Sequence, residues 1–174
     1  ISLGTPIYTE RNRFLKSFIP IFKKYYNNIS SGDDMVNIKY NSNLNEGSFS
    51  EIIRSSISKD RFVQYTTKGI HKDDLEFLID GNKIKNFGSQ GQQKSFLVSL
   101  KLAQFEYYKE KLGSSPIVLL DDIFDKLDQD RVRQIVNILE KNEFGQIFIT
   151  DTHKERVENA LKDSSNKEEI FNIE

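Results

Sequence analysis

The chain has 174 residues, of which 37% are hydrophobic and 29% charged, with no cysteine, no tryptophan and a net charge of −1. That length suits one ordinary domain or two small lobes, and the composition is globular rather than disordered. Without cysteine there is no disulfide framework, thiolate metal site or cysteine nucleophile, which fits a cytoplasmic protein. The net charge excludes a general basic footprint for nucleic acid. Residues 1–87 hold 13 Lys/Arg against 10 Asp/Glu, and residues 88–174 hold 12 against 16, an asymmetry too small to assign a surface. No apolar run has the length of a membrane span, and no signal peptide is recognisable at the start. The first residue is Ile1 rather than Met, which suggests a piece of something longer.

In chain order, Phe14, Phe18, Phe22 and Tyr25 recur at helical spacing and predict a helix over 10–29. Pro20 is expected to kink it or to start a second helix. Alternation of Val36, Ile38 and Tyr40 predicts a strand over 36–40. A helix over 48–58 and a short helical piece over 59–65 follow. The character changes near residue 66, where a lobe boundary is expected, dividing a mainly helical lobe (1–65) from a second lobe (66–174). Residues 75–79 read as a strand, Asp80-Gly81-Asn82 as a tight turn, and 83–87 as a short returning strand. A long apolar helix over 92–112 ends at Gly113-Ser114-Ser115-Pro116.

Residues 117–120 read as a buried strand, 129–142 as a helix closed by Gly145, and 146–150 as a second buried strand. Strand, helix, strand in this order implies two parallel strands with the helix across one face. Thr152 and Glu155 suggest a capping box for a last helix reaching about 162. Residues 169–173 are expected to add a closing strand.

The strongest local signal is Pro116-Ile117-Val118-Leu119-Leu120-Asp121-Asp122, an apolar strand that runs into two carboxylates. Ligands of parallel sheets bind at the carboxyl ends of the strands. Adjacent residues point to opposite sides, so the two acids do not share one task. One suits a magnesium ion, the other an attacking water. Alternatively, both merely solvate a strand end. Ser89-Gln90-Gly91-Gln92-Gln93-Lys94-Ser95 opens the long helix, where amides and dipole favour a phosphate. An ordinary cap is the plainer reading of the same residues. Asp128 suits the N-cap of the helix after it. His153 is either a surface histidine or a hydrogen-bond donor to a phosphate.

Taken together and in order, Ser89–Gln93, the long helix, Val118–Asp122, Asp125-Lys126-Leu127-Asp128 and Thr150–His153 resemble the second half of an ABC-type ATPase head. The counterparts are the signature motif, Walker B strand, D-loop and switch region. Gln90 in the signature, Asp122 as the second acid, and Gly69-Ile70-His71-Lys72-Asp73-Asp74-Leu75 are similar to the RecF family of DNA repair ATPases. Ile70 and Lys72 depart from that family's Pro and Arg, and a lysine lacks the planar fork of an arginine.

The resemblance implies an α/β fold, the C-terminal half of an ABC-type head with parallel strands and helices, preceded by a mainly helical lobe. It implies ATP and Mg2+ as cofactors of the full-length protein, with Asp121 on the metal and Asp122 on the hydrolytic water. It also implies a homodimer in which Ser89, Gln90, Gly91 and Gln92 meet the partner's γ-phosphate. Asp128 falls at the dimer seam, and His153 is a γ-phosphate sensor. Implied partners are DNA at gaps or junctions, and the RecO and RecR proteins; a membrane is not among them. No Gly-x-x-x-x-Gly-Lys-Ser/Thr occurs in the chain, so the chain alone is expected to be inactive. The rivals are another DNA ATPase head of the SMC, Rad50 or RecN kind, a non-enzymatic interaction module, and a metal-dependent nuclease drawing on Asp125 and Asp151.

Overall fold

A computed structural model describes residues 2–30, 32, 34–141, 144–162 and 169–171. The chain divides into two compact units, residues 1–23 with 34–88, and residues 24–33 with 89–174.

The first unit opens with most of helix α1 (Gly4–Ser30). Pro20 lies inside α1, which continues past it, so no second helix starts there. An internal proline costs about 3 kcal/mol. Phe18, Phe22, Tyr25, Tyr26 and Ile29 are all buried, and each such burial contributes about 1.5–3 kcal/mol. Their sum outweighs the proline. Pro20 and Lys16, whose carbonyl loses its helical donor, are both exposed, so water can take the donor's place.

Strand β1 (Val36–Asn41) pairs antiparallel with β2 (Asp74–Ile79), Val36 opposite Ile79 and Asn41 opposite Asp74. This pairing carries the unit past residue 66, so the expected boundary falls inside it. Between the strands, helix α2 (Phe49–Val63) is one element, not two. Ser48 and Glu51 form its capping box, and Gln64 ends it in the left-handed region at φ 62°. The turn at Asp80 and Gly81 has positive φ at both residues, the hairpin type that matches strand twist. The returning strand β3 is only Asn82–Lys83. The expected strand over 83–87 gives way to a helical turn, α3 (Ile84–Phe87), which buries Ile84 and closes with Gly88 N–H on the Ile84 carbonyl at 2.9 Å.

The stretch 69–75 has a structural core. Asp73 is 2% exposed and accepts from Arg11 Nη1 at 2.7 Å and from the Tyr40 hydroxyl. Arg11 also donates to the Ile70 carbonyl at 2.9 Å. Burial, with the carboxylate of Asp73 beside it, raises the Tyr40 hydroxyl above the usual phenol range. Lys72 lies over the Tyr65 ring at 5.2 Å, a contact that its single charge makes without a fork.

The second unit is organised by helix α4 (Gln90–Leu112), closed by Gly113 at φ 65°. Ser95, Ser99 and Ala103 form a fully buried stripe of small side chains along it, and Ser99 returns its hydroxyl to the Ser95 carbonyl at 2.7 Å. Tyr26 packs edge-on to Phe96 at 6.1 Å. Strands β4 (Val118–Asp121) and β5 (Ile147–Thr150) are parallel, joined through α5 (Gln129–Lys141) as the strand–helix–strand pattern predicts. Val118 and Leu120 face inward, while Leu119 and Phe148, opposite one another, are 74% and 46% exposed.

Gly145 has no left-handed φ, and residues 142–143, between it and α5, lie outside the described residues. Helix α6 (Lys154–Leu161) starts from His153, not Thr152, and has no side-chain cap; the expected Thr152–Glu155 box does not form. Residues 169–171 form no strand, and the rest of that expected strand lies outside the described residues.

Two stability tests follow from these buried polar contacts. Asp73→Ala orphans the Tyr40 hydroxyl and the Arg11 charge, and should lower unfolding free energy by about 1–3 kcal/mol in urea denaturation. The Tyr25 hydroxyl donates to Glu106, and burial first, then that carboxylate, raises it well above the phenol range. A raised folded value means the stabilisation is complete below the unfolded phenol value of about 10 and is lost as pH rises beyond it. Tyr25→Phe should therefore flatten the fall in Tm above about pH 10.

Candidate functional site: the carboxyl end of β4 and the tip of α4

β4 and β5 end level, Asp121 opposite Thr150. The Thr150 hydroxyl donates to Asp121 Oδ1. Asp122 leaves the strand at φ 47°, and its N–H reaches the Thr150 carbonyl at 3.0 Å and hydroxyl at 3.3 Å. This left-handed residue turns the chain sharply after the apolar run, so the two acids take different environments. Asp121 is exposed and oriented by Thr150, whereas Asp122 is partly buried and held through its backbone. Thr150 matters because parallel pairing sets it beside Asp121; its place at the end of the second apolar strand was the available signal.

The tip of α4 lies against the loop that follows β4. Lys94 Nζ donates to the Asp122 carbonyl at 2.8 Å. A Cβ on Gly91 would sit 2.4 Å from Arg131 Nη1 and 3.6 Å from the Lys126 carbonyl. Ser89 and Gln92 form a capping box: Ser89 Oγ accepts from Gln92 N–H at 3.2 Å, and Gln92 Oε1 accepts from Ser89 N–H at 2.9 Å. Gln90 is exposed. The first intrahelical bond runs from Gln93 N–H to Ser89 O, so the amides of Gln90 and Gly91 precede it, as an anion site at a helix start requires. Asp128 takes the cap role expected of it, accepting from Arg131 N–H at 2.9 Å and lying 3.3 Å from Arg131 Nη1. Lys94 and Arg131 were missed in the sequence, where an isolated cation in a helix's first turns is indistinguishable from a surface charge.

His153 is exposed, its Nδ1 2.9 Å from the Thr152 hydroxyl. The Asp151 side chain beside it is buried, accepting from His153 N–H at 2.8 Å and pairing with Arg156 at 3.4 Å. Among the described residues no group of three or more His, Cys, Asp or Glu could hold a metal. One oriented carboxylate with a neighbouring hydroxyl nevertheless fits magnesium, which keeps most of its waters and takes further oxygens from substrate phosphates.

No family model matches the chain. The DNA replication and repair protein RecF of Flavobacterium johnsoniae is 49% identical over 170 residues, covering 98% of this chain and 47% of that protein. A solved structure of the recombination mediator protein RecF with ATP has a TM-score of 0.69 at 26% identity, over 86% of this chain and 43% of that one. An SmcHead structure, at 16% identity and a TM-score of 0.50, shares the fold alone. The parallel strands and their helices have the α/β fold of the RecF and SmcHead structures. In sequence the chain's likeness is to RecF, at 42–49% identity over nearly its whole length. The chain spans about half the length of the curated relatives it matches.

The Lys94 strut yields a direct test. Lys94→Met keeps the stem and removes the donor to Asp122. A charged hydrogen bond contributes about 1.5–3 kcal/mol, so amide exchange across residues 122–127 should rise about tenfold or more by mass spectrometry. Unchanged protection would show that the loop is held by other contacts.

Proposed function

We propose that this chain is the signature and Walker B portion of a RecF-type DNA repair and recombination ATPase, acting in the cytoplasm as an ATP-dependent homodimer. The observation that carries the proposal is the meeting of the α4 tip with the carboxyl end of β4, through Lys94 on Asp122 and Gly91 against Arg131. The bare pair Leu119 and Phe148 supports a larger head, since exposed apolar sheet faces of this kind mark surfaces that another element covers.

In this reading Asp121, with Thr150 beside it, would hold Mg2+, which would supply charge neutralisation to the nucleotide phosphates. Asp122, set apart by its left-handed turn, positions the attacking water and receives its proton. The Gln90 and Gly91 amides, with the Ser89 and Gln92 side chains around them, meet the γ-phosphate held by the partner subunit. Ser89 already caps α4, so it contributes by ordering the amides as well as by contact. Asp128 lies at the dimer seam, and His153 is the γ-phosphate sensor. DNA at gaps or junctions, RecO and RecR are the proposed partners, by kinship with the named RecF relatives. That kinship favours RecF over the SMC kind, whose likeness is confined to fold.

The proposal is tested in the full-length protein with Asp122→Asn. ATP binding should persist while turnover falls by about a hundredfold or more, the scale of a lost general base. Turnover at the wild-type rate would remove Asp122 from the reaction. The 174-residue chain alone should not hydrolyse ATP in a phosphate-release assay, because it contains no lysine-bearing phosphate loop. Hydrolysis by it would place the active site elsewhere.

A further inference from the structure

We infer that Arg131 is a positioning residue that couples the two ATP sites of the dimer, by clasping the tip of α4 to the loop after β4. The inference rests on the proposed reading. There, the α4 tip serves the partner's nucleotide, while Asp121 and Asp122 serve the subunit's own.

The clasp has two sides. On one, the guanidinium lies where a Cβ at position 91 would approach Nη1 to 2.4 Å, so a larger residue there moves the end of the arginine aside. On the other side, Nη1 lies 3.3 Å from Asp128 Oδ2, and the same Asp128 accepts from Arg131 N–H at 2.9 Å. Asp128 thus contacts both ends of Arg131, whose side chain is 22% exposed against 58% for Asp128. So open an ion pair is weak by itself and gives way readily to a competing anion.

The loop between carries positive φ at two residues that are not glycine, Asp122 at 47° and Lys126 at 60°. An aspartate enters this region readily, whereas a lysine does so at a cost of about 1 kcal/mol and is held there by its surroundings. Lys94 fixes the loop's start through the Asp122 carbonyl, and Arg131 fixes its end. A phosphate drawn to the Gly91 amide shifts the α4 tip, displaces the guanidinium and releases the pull on Asp128. The strain then passes back along the loop to Asp122, which serves the other nucleotide. Coupling through two discrete arrangements of one loop is the physical form that linkage between sites requires.

The test uses the full-length protein with Arg131→Met, which keeps the aliphatic stem and loses the charged fork, alongside Gly91→Ala and the double variant. Each is first checked for a wild-type melting transition, with Arg131→Gln as a second, smaller perturbation. Two readouts are taken: amide exchange over 122–128, and the ATP concentration dependence of turnover. Expected is about tenfold faster loop exchange in Arg131→Met, and a Hill coefficient that falls to about 1 while ATP binding to dilute monomer is unchanged. The lost coupling corresponds to about a fivefold or greater difference between first and second ATP affinities. Gly91→Ala should reproduce the faster exchange by evicting the guanidinium, yet add nothing to it in the Arg131→Met background. Additive effects on exchange, or a Hill coefficient unmoved by Arg131→Met, overturn the inference. Absence of any ATP-driven dimer in the wild type would instead sink the parent reading, and the exchange measurements would still decide whether the clasp exists.

Discussion

The second unit depends on how two short parallel strands are held level at their carboxyl ends. Thr150 donates its hydroxyl to Asp121 and its carbonyl accepts the Asp122 amide. Parallel strands gain slightly less per residue from pairing than antiparallel ones, and β4 and β5 are only four residues each. A polar lock at the end where the acids emerge therefore does work that ladder length cannot. It sets the Asp121 carboxylate relative to the backbone and forces the left-handed turn at Asp122, from which the loop to Asp128 departs.

Around that lock, the same residues carry both folding and proposed chemistry. Ser89 and Asp128 cap α4 and α5, satisfying amides that each helix start would otherwise leave bare. A residue that caps a helix also fixes where the neighbouring free amides point. The cap reading and the phosphate reading of Ser89 are thus successive consequences of one geometry rather than competitors. Asp151 shows the opposite case. Its carboxylate is wholly buried and faces the His153 amide and Arg156 of α6, so it orders the segment around His153.

The first unit is governed by a different constraint. Asp73, in the stretch that carries the family resemblance, is a buried anion held by Arg11 from α1 and Tyr40 from β1. Removing a charge from water is costly unless its partners are supplied by the surrounding structure. Three segments far apart in sequence must meet for that to happen, which gives the sheet its register and draws the unit past residue 66.

Local patterning was enough to recover most elements and the parallel strand–helix–strand core. Those features follow from side-chain periodicity and from apolar runs ending in acids, which one stretch of chain carries by itself. What failed locally failed for tertiary reasons. Pro20 stays inside α1 because five buried aromatic and aliphatic side chains outweigh its cost. Residues 84–87 coil because burying Ile84 favours a helical turn over a longer strand. Thr152 gives its hydroxyl contact to His153 rather than to α6.

By itself, the order of residues determined the class of the molecule and the identity of the acids at the end of β4. Only the folded chain decided that Thr150 orients one acid, that Lys94 and Arg131 bind the helix tip to the loop, and that Asp151 is buried beside Arg156. Each of those depends on distance between segments separated in sequence, and a side chain's charge acquires a role only when the fold determines what it faces.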